Sequence, residues 1–216
     1  MIEKLRKYPV TTVLIIAFYY GVGIFGLAYQ ATQSLFRELV PFTLICSLVL
    51  LILFNEDHSR KMYLAALVIF FLGFAIEVLG VNTGVIFGEY RYGGTLGIKL
   101  LDTPLMIGVN WLILIWSGWA LTGVFFKNCL VRIIAGSGLM VCYDIALEPV
   151  AIKLDMWDWF GAPVPLQNYF AWFLASIILF FIVSLNGREV RNKIAPGLFI
   201  IQFVFFVVLN LIFSMT

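Results

Sequence analysis

Charged residues are scarce in this 216-residue chain: they make up 12% of it, against roughly 25% in an average soluble domain. Hydrophobic residues account for 62%, so the composition excludes an ordinary soluble protein and indicates an integral membrane protein. We expect a single transmembrane domain over residues 1–216, placed in the cell membrane as a multi-pass protein. The formal net charge is only +2, which gives no reason to expect a nucleic acid partner.

Residues that bind metals or redox cofactors are also few. The chain has one histidine, His58, in a short charged loop, and its three cysteines lie far apart without the paired spacing of a metal site or a disulfide framework. It has no aspartate-rich run of the kind that holds a divalent cation for a diphosphate substrate. Lys193 lies only at the edge of the last apolar run, which disfavours a retinal-binding protein. We therefore expect neither a metal nor a cofactor.

What the chain does have is a series of long apolar runs, each near the roughly 20 residues that a membrane-crossing helix needs. The runs are Val10–Tyr29, Leu39–Phe54, Tyr63–Val81, Pro104–Phe126, Leu130–Ile152, Tyr169–Leu185 and Pro196–Phe213. They predict an all-α integral membrane protein that forms one bundle of about seven transmembrane helices.

The basic residues are distributed unevenly between the two sides of this bundle. Ten of the 14 Lys and Arg residues lie on the side of the N-terminus: Lys4, Arg6, Lys7, Arg60, Lys61, Lys127, Arg132, Arg188, Arg191 and Lys193. Since basic residues collect on the cytoplasmic side, the N-terminus is predicted to be cytoplasmic. The connections over residues 82–102 and 153–168 would then fold together on the outer side.

The stretch from Glu77 to Asp102 is the most unusual part of the sequence. It contains six glycines and five charged residues between two apolar runs that carry almost no charge. Ionisable residues at membrane depth are costly, and they usually face a cavity or the bundle interior. We therefore expect a loop that folds inward over a pocket.

Two carboxylates on the fifth apolar run, Asp144 and Glu148, are four residues apart, which places them on one face of a helix. Two acids so close in a poorly solvated place do not both ionise readily, so one of them is expected to hold a proton. Pro149 follows directly and favours a kink or a loosened helix there. The alternative is that these acids pair with Arg91, Lys99 or Lys153 and only tie helices together.

Aromatic and polar residues cluster in the two connections next to these acids. Aromatic faces stabilise cations. We predict that these aromatic residues and the polar residues that accompany them bind substrate: Tyr90, Tyr92, Asp102, Trp111, Trp157, Asp158, Trp159 and Asn168. The alternative for Trp157 and Trp159 is the aromatic belt that membrane proteins carry at the lipid–water interface whatever their function.

Taken together, the motifs of residues 70–175 resemble a known family. They are Glu77-x-x-Gly80, Gly84-x-x-Phe87-Gly88-x-Tyr90-x-Tyr92, Pro104-Leu105, Trp111, Asp144-x-x-x-Glu148-Pro149, Trp157-x-Trp159 and Pro165-x-x-Asn168-Tyr169-x-x-Trp172. This pattern is similar to that of the membrane carotenoid-biosynthesis family that includes the carotenoid 1,2-hydratases and bisanhydrobacterioruberin hydratase. The family pattern has aspartate before the proline, where this chain has the longer Glu148.

The resemblance implies that water is added to the terminal double bond of an acyclic carotenoid end group, without a redox cofactor. It also implies a membrane-dissolved carotenoid as substrate and other carotenoid-pathway enzymes as candidate partners. From the chemistry of the residues, we predict that Glu77 donates the proton and that Asp144 and Glu148 handle the water. Two alternatives stay open: a membrane lycopene cyclase, and a non-catalytic carotenoid or lipid binder or small transporter.

Overall fold

The computed structural model describes residues 6–185 and 190–215, so that Lys4 and Arg188 of the orientation prediction lie outside the described residues. The helices are α1 (Pro9–Ala28), α2 (Gln30–Glu38), α3 (Val40–Phe54), α4 (Arg60–Thr83), α5 (Leu105–Phe125), α6 (Cys129–Lys153), α7 (Leu166–Ser184) and α8 (Ala195–Met215). The short strands are β1 (Arg91–Tyr92), β2 (Lys99–Leu100), β3 (Thr103–Pro104) and β4 (Trp157–Asp158).

Six of the described helices, α1 and α4 to α8, are long and apolar enough to cross a membrane. The predicted second span corresponds to α3, which has 15 residues and follows α2 at an angle of 53°. Pro41 in the first turn of α3 explains this break, because proline starts a helix readily but cannot continue one. The bundle has seven spans if α2 and α3 cross as one, which confirms the predicted all-α membrane fold. Its orientation in the membrane stays a prediction.

Helix α5 lies at the centre of the bundle. In its most apolar stretch of 18 residues, 78% is buried. The corresponding stretch is 22% buried in α8 and 28% buried in α1 and α4, so these helices turn more of their surface toward lipid. Helix α5 packs against α3, α4, α6, α7 and α8. A polar side chain on α5 therefore faces other helices in most directions.

Helices α4 and α6 have defined ends that place the acidic residues. The hydroxyl of Ser59 caps α4 by accepting a hydrogen bond from the Met62 amide, and Gly84 ends that helix with a φ of 67°. Asn128 caps α6 through the Val131 amide. A left-handed residue such as Gly84 stops a helix and turns the chain sharply, which sends the following loop back over α4.

The first loop (residues 84–104) and the second loop (residues 154–165) pair with each other, as predicted. Strands β1 and β4 are antiparallel, and Tyr92 lies opposite Trp157. The amide of Gly93 donates to the carbonyl of Met156 at 2.9 Å. Arg37 of α2 donates to the Asp155 carboxylate at 2.8 Å, so α2 is attached to the same layer. The two loops therefore carry their aromatic residues to one place beside α4, α5 and α6.

Candidate active site

Glu77 lies within the last two turns of α4 and is 5% exposed. Its Oε2 atom accepts hydrogen bonds from the hydroxyls of Tyr90 (2.8 Å) and Tyr92 (2.6 Å) in the first loop. Its Oε1 atom accepts one from the indole N–H of Trp111 on α5, at 3.0 Å. Three neutral donors from two other segments of the chain, the first loop and α5, thus converge on one carboxyl group of α4.

Gly80, one turn beyond Glu77, lets the first loop approach α4. A Cβ atom at position 80 would overlap the ring of Phe87 and would lie 3.2 Å from the Tyr90 hydroxyl. Phe87 is 2% exposed, so its ring has little room to move aside. The absence of a side chain at position 80 is therefore a condition for the contact between Tyr90 and Glu77.

The two phenols that hold Glu77 are themselves perturbed by this site. Burial, and then the charge of the nearby Glu77 carboxylate, raise the pKa of the Tyr90 phenol and of the Tyr92 phenol above the usual value of 10.0. Both hydroxyls are therefore neutral at physiological pH. A neutral phenol can donate a hydrogen bond or accept one.

Glu148 lies on α6 and is 2% exposed. Its Oε2 atom accepts hydrogen bonds from the indole N–H groups of Trp157 (3.0 Å) and Trp159 (2.9 Å), both in the second loop. These bonds account for the inward position of the two indoles, which are 8% and 4% exposed. Trp157 and Trp159 thus contact an acid in the interior.

Asp144 lies one turn before Glu148 and is completely buried. Its Oδ2 atom accepts a hydrogen bond from the side-chain amide of Asn168 on α7, at 2.6 Å, and the same amide nitrogen lies 3.4 Å from Oε1 of Glu148. The other carboxyl oxygen of Asp144 has no hydrogen-bond partner among the described residues. Asn168 therefore connects the two acids of α6.

Helix α6 continues past Pro149 to Lys153, so the helix does not end at the proline.

The basic residues that could have neutralised these acids lie elsewhere. Arg91 forms an ion pair with Asp158 at 3.5 Å, and Lys99 donates to a backbone carbonyl. The Lys153 ammonium lies over the ring of Phe213. Within the described part of the chain, then, no ion pair involves the three interior acids, and the alternative of helix-tying salt bridges is not found.

Glu77 and Glu148 both line one small cavity, which we call the carboxyl cavity. Its volume is about 20 Å³, above the roughly 10–15 Å³ that one water molecule needs. The remaining lining residues are Phe87, Tyr90, Tyr92, Ile107, Asn110, Trp111, Trp157, Trp159, Asn168 and Trp172. The indoles of Trp111 and Trp172 stack at 4.5 Å, and the rings of Tyr90 and Trp159 lie 5.1 Å apart. A cavity with acids, amides and aromatic faces can hold water and stabilise a cation.

Three of the predicted site residues lie outside this lining. Asp144 lies behind it, against Asn168. Asp102 lies on an exposed turn between β2 and β3, with a φ of 61°. Asp158 is directed to Arg91 and to the backbone amide of Phe160. The sequence argument placed Asp102 and Asp158 by their proximity along the chain to the other site residues, which does not determine the direction of their side chains.

Asn110 is a site residue that the sequence analysis missed. It lies on the central helix α5, next to Trp111, and its side-chain amide makes no hydrogen bond to any described residue. The signal was present: Asn110 is a strongly polar residue within an otherwise apolar run, and polar groups at membrane depth are candidates for function. Trp172 was noted in the motif but was not assigned to the site.

Comparison with known proteins agrees with the resemblance seen in the sequence. The family described as carotenoid biosynthesis protein matches residues 38–216, which include all residues of the carboxyl cavity. Bisanhydrobacterioruberin hydratase of Haloarcula japonica is 28% identical over 148 residues, which cover 63% of this chain and 50% of that relative. The chain thus spans about half the length of this curated relative, and no solved structure matches it significantly. Because the family match extends over most of its length, the chain belongs to the family of carotenoid biosynthesis proteins.

Proposed function

We propose that this protein adds water to the terminal double bond of an acyclic, ψ-type carotenoid end group and thereby forms a tertiary alcohol. The observation that carries the proposal is the presence of two buried glutamates, Glu77 and Glu148, from different helices in the wall of one cavity. Burial of an ionised carboxylate without a cationic partner is costly, so at least one acid of such a set is suited to hold a proton. The curated relative, which is named as a hydratase, supports the same type of reaction.

The hydrogen-bond partners favour different roles for the two glutamates. Glu77 accepts from the donor-only Trp111 indole on Oε1, but its Oε2 atom contacts only two phenol hydroxyls, which can donate to a carboxylate or accept from a carboxylic acid. Glu148 has two indole N–H groups on one oxygen, and these can only donate. The surroundings of Glu77 are therefore compatible with both protonation states, whereas those of Glu148 suit a carboxylate. We assign Glu77 as the proton donor and Glu148 as the base.

The reaction then has two steps. The π electrons of the terminal double bond form a C–H bond with the proton of Glu77, which leaves a Glu77 carboxylate and a tertiary carbocation. The oxygen of a water molecule bonds to the cationic carbon, and the surplus proton of that water passes to Glu148. Transfer of a proton from Glu148 to Glu77 through water in the cavity restores the starting state, so the net change is the addition of one water molecule.

The aromatic wall has a role in the first step. A cation over an aromatic face is stabilised by about 2 kcal/mol or more when the site is desolvated. Tyr90, Trp159, Trp111 and Trp172 line this cavity. They would lower the energy of the carbocation without reacting with it.

The water itself needs polar partners. A buried water molecule makes about three hydrogen bonds, and Glu148, Asn110 and Asn168 offer groups at the same small cavity. Asp144 would act indirectly, because it holds the Asn168 amide in place at 2.6 Å. This supply of water is what distinguishes hydration from cyclisation, in which a neighbouring double bond of the substrate captures the cation.

Product analysis in a host that accumulates lycopene tests the proposal. The wild-type chain should yield a product heavier than lycopene by one water molecule, and Glu77→Gln should lower its amount by about 10²- to 10⁴-fold, the usual contribution of a general acid. Glu89→Gln is the matched control, since Glu89 is an exposed glutamate of the first loop and its loss should leave the product unchanged.

Three results would contradict the assignment. Undiminished hydration by Glu77→Gln would move the proton donor to another group. A ring-closed product of unchanged mass would identify a cyclase. Unchanged lycopene together with pigment bound to the purified protein would identify a carotenoid binder.

A further inference from the structure

Two further cavities continue the carboxyl cavity toward α1. The first, which we call the neck, has a volume of about 40 Å³ and shares Ile107, Asn110 and Trp157 with the carboxyl cavity. The second, which we call the apolar cavity, has a volume of about 110 Å³ and shares Leu44 and Tyr143 with the neck. Asn110 lines all three. The cavities therefore form consecutive compartments.

The apolar cavity reaches the lipid-facing surface of the bundle. Tyr19 and Val22 on α1 and Leu39 between α2 and α3 line it, and they are 42%, 42% and 40% exposed. At the opposite end the lining residue Tyr143 is 1% exposed. The opening is thus between α1 and the break of the α2–α3 pair, and Tyr143 in the wall shared with the neck is buried.

Several polar groups of the apolar cavity are paired with one another. The Tyr20 hydroxyl contacts Ser47 at 3.0 Å and accepts a hydrogen bond from the Gln202 amide at 2.8 Å. The Tyr19 hydroxyl contacts Thr43 at 3.0 Å. These groups have partners within the wall, so the remaining surface offered to an occupant consists mainly of aromatic rings and aliphatic side chains.

We propose that the apolar cavity and the neck bind the conjugated hydrocarbon chain of the substrate, with its end group directed past Asn110 into the carboxyl cavity. This inference rests on the proposed function for the identity of the end group. A conjugated polyene is stiff, flat and apolar, so a row of compartments between aromatic walls suits it, and the rest of the chain extends through the opening into lipid. The neck, at about 40 Å³, would admit only a narrow terminus of such a chain.

A pair of neighbouring substitutions on α3 tests the inference. Leu44 lines both the neck and the apolar cavity, whereas Ile45 next to it is 44% exposed and lines neither. Leu44→Trp should lower the amount of lycopene bound per purified protein at least tenfold, measured by visible absorbance in detergent. Ile45→Trp should bind as much lycopene as the wild type.

A second pair of substitutions, on α1, keeps the inference testable if the Leu44→Trp variant does not fold. Gly23 lines the apolar cavity, and a Cβ atom there would lie 3.3 Å from the Phe205 ring. A Cβ atom at Gly21 would meet nothing within 4 Å. Gly23→Val should therefore reduce bound lycopene, and Gly21→Val should not.

A short substrate separates binding of the chain from the reaction at its end. Gly23→Val, which narrows the apolar cavity but not the neck, should still hydrate a short acyclic isoprenoid hydrocarbon that ends in the same trisubstituted alkene, while it loses activity on lycopene. Equal lycopene binding by Leu44→Trp, Gly23→Val and the wild type would overturn the inference, as would the absence of bound lycopene from the wild type. Lycopene that binds as expected but is never hydrated would refute the proposed function and leave the binding site standing.

Discussion

Substitutions of Glu148 separate its proposed role as a base from its role in holding the second loop. In the wild type, the indole N–H groups of Trp157 and Trp159 donate to Oε2 of Glu148 at 3.0 and 2.9 Å. The side-chain oxygen of Glu148→Gln can still accept both hydrogen bonds. The amide cannot take a proton from water, so hydration should fall by about 10²- to 10⁴-fold while the fold is kept. In Glu148→Ala both indole N–H groups lose their acceptor. At about 1–3 kcal/mol for each unsatisfied buried donor, that variant should be destabilised by about 2–6 kcal/mol.

Glu148→Asp should lie between these variants. Its carboxyl group is retracted by one carbon–carbon bond, about 1.5 Å, which is enough to take both indole contacts beyond hydrogen-bond distance unless the backbone moves. A carboxylate remains, so the variant should keep more activity than Glu148→Gln and less than the wild type. Its stability should fall toward that of Glu148→Ala.

The assay combines product analysis in the lycopene-producing host with thermal unfolding of the purified protein in detergent, followed by tryptophan fluorescence. Trp157 and Trp159 of the second loop are two of the six tryptophans that contribute to this signal. Hydration by Glu148→Gln within a few-fold of the wild type would refute the assignment of the base. A Glu148→Ala variant as stable as Glu148→Gln would refute the argument that this carboxyl group holds the two indoles.

Two further predictions concern the packing and the ionisation of the first loop. Gly80→Ala should lower both the Tm and hydration, because its Cβ atom overlaps the Phe87 ring and overpacking costs about 1–3 kcal/mol. Gly138→Ala, whose Cβ atom would meet nothing within 4 Å, should lower neither. Equal effects of the two substitutions would contradict the packing argument. The double variant Tyr90→Phe/Tyr92→Phe should lose less stability than the wild type between pH 9 and pH 11, measured as Tm. The raised pKa of each phenol gives the wild type stability that is present below a pH of about 10 and is lost as the pH rises further, by up to about 1.4 kcal/mol per pH unit and phenol. Identical pH profiles of the two proteins would contradict this argument.

The sequence by itself determined the membrane class, the helical bundle and the motifs of the site. Long apolar runs predict spans because a lipid interior requires every backbone group to be bonded within the helix. The spacing of Asp144 and Glu148 predicts a common helix face because that relation depends only on the helical repeat. The glycines around Gly84 predict a turn near the end of α4, and Gly84 indeed ends that helix with a φ of 67°.

Only the tertiary structure decided which of these groups meet. Glu77 and Glu148 are on different helices, and their approach depends on how α4 and α6 pack around α5 and on the pairing of β1 with β4. The same packing leaves Asp102 exposed and directs Asp158 to Arg91, although both lie near the site in sequence. It also places Asn110 at the junction of three cavities. Side-chain direction and cavity shape arise from contacts between distant segments, and a local repeat carries no information about them.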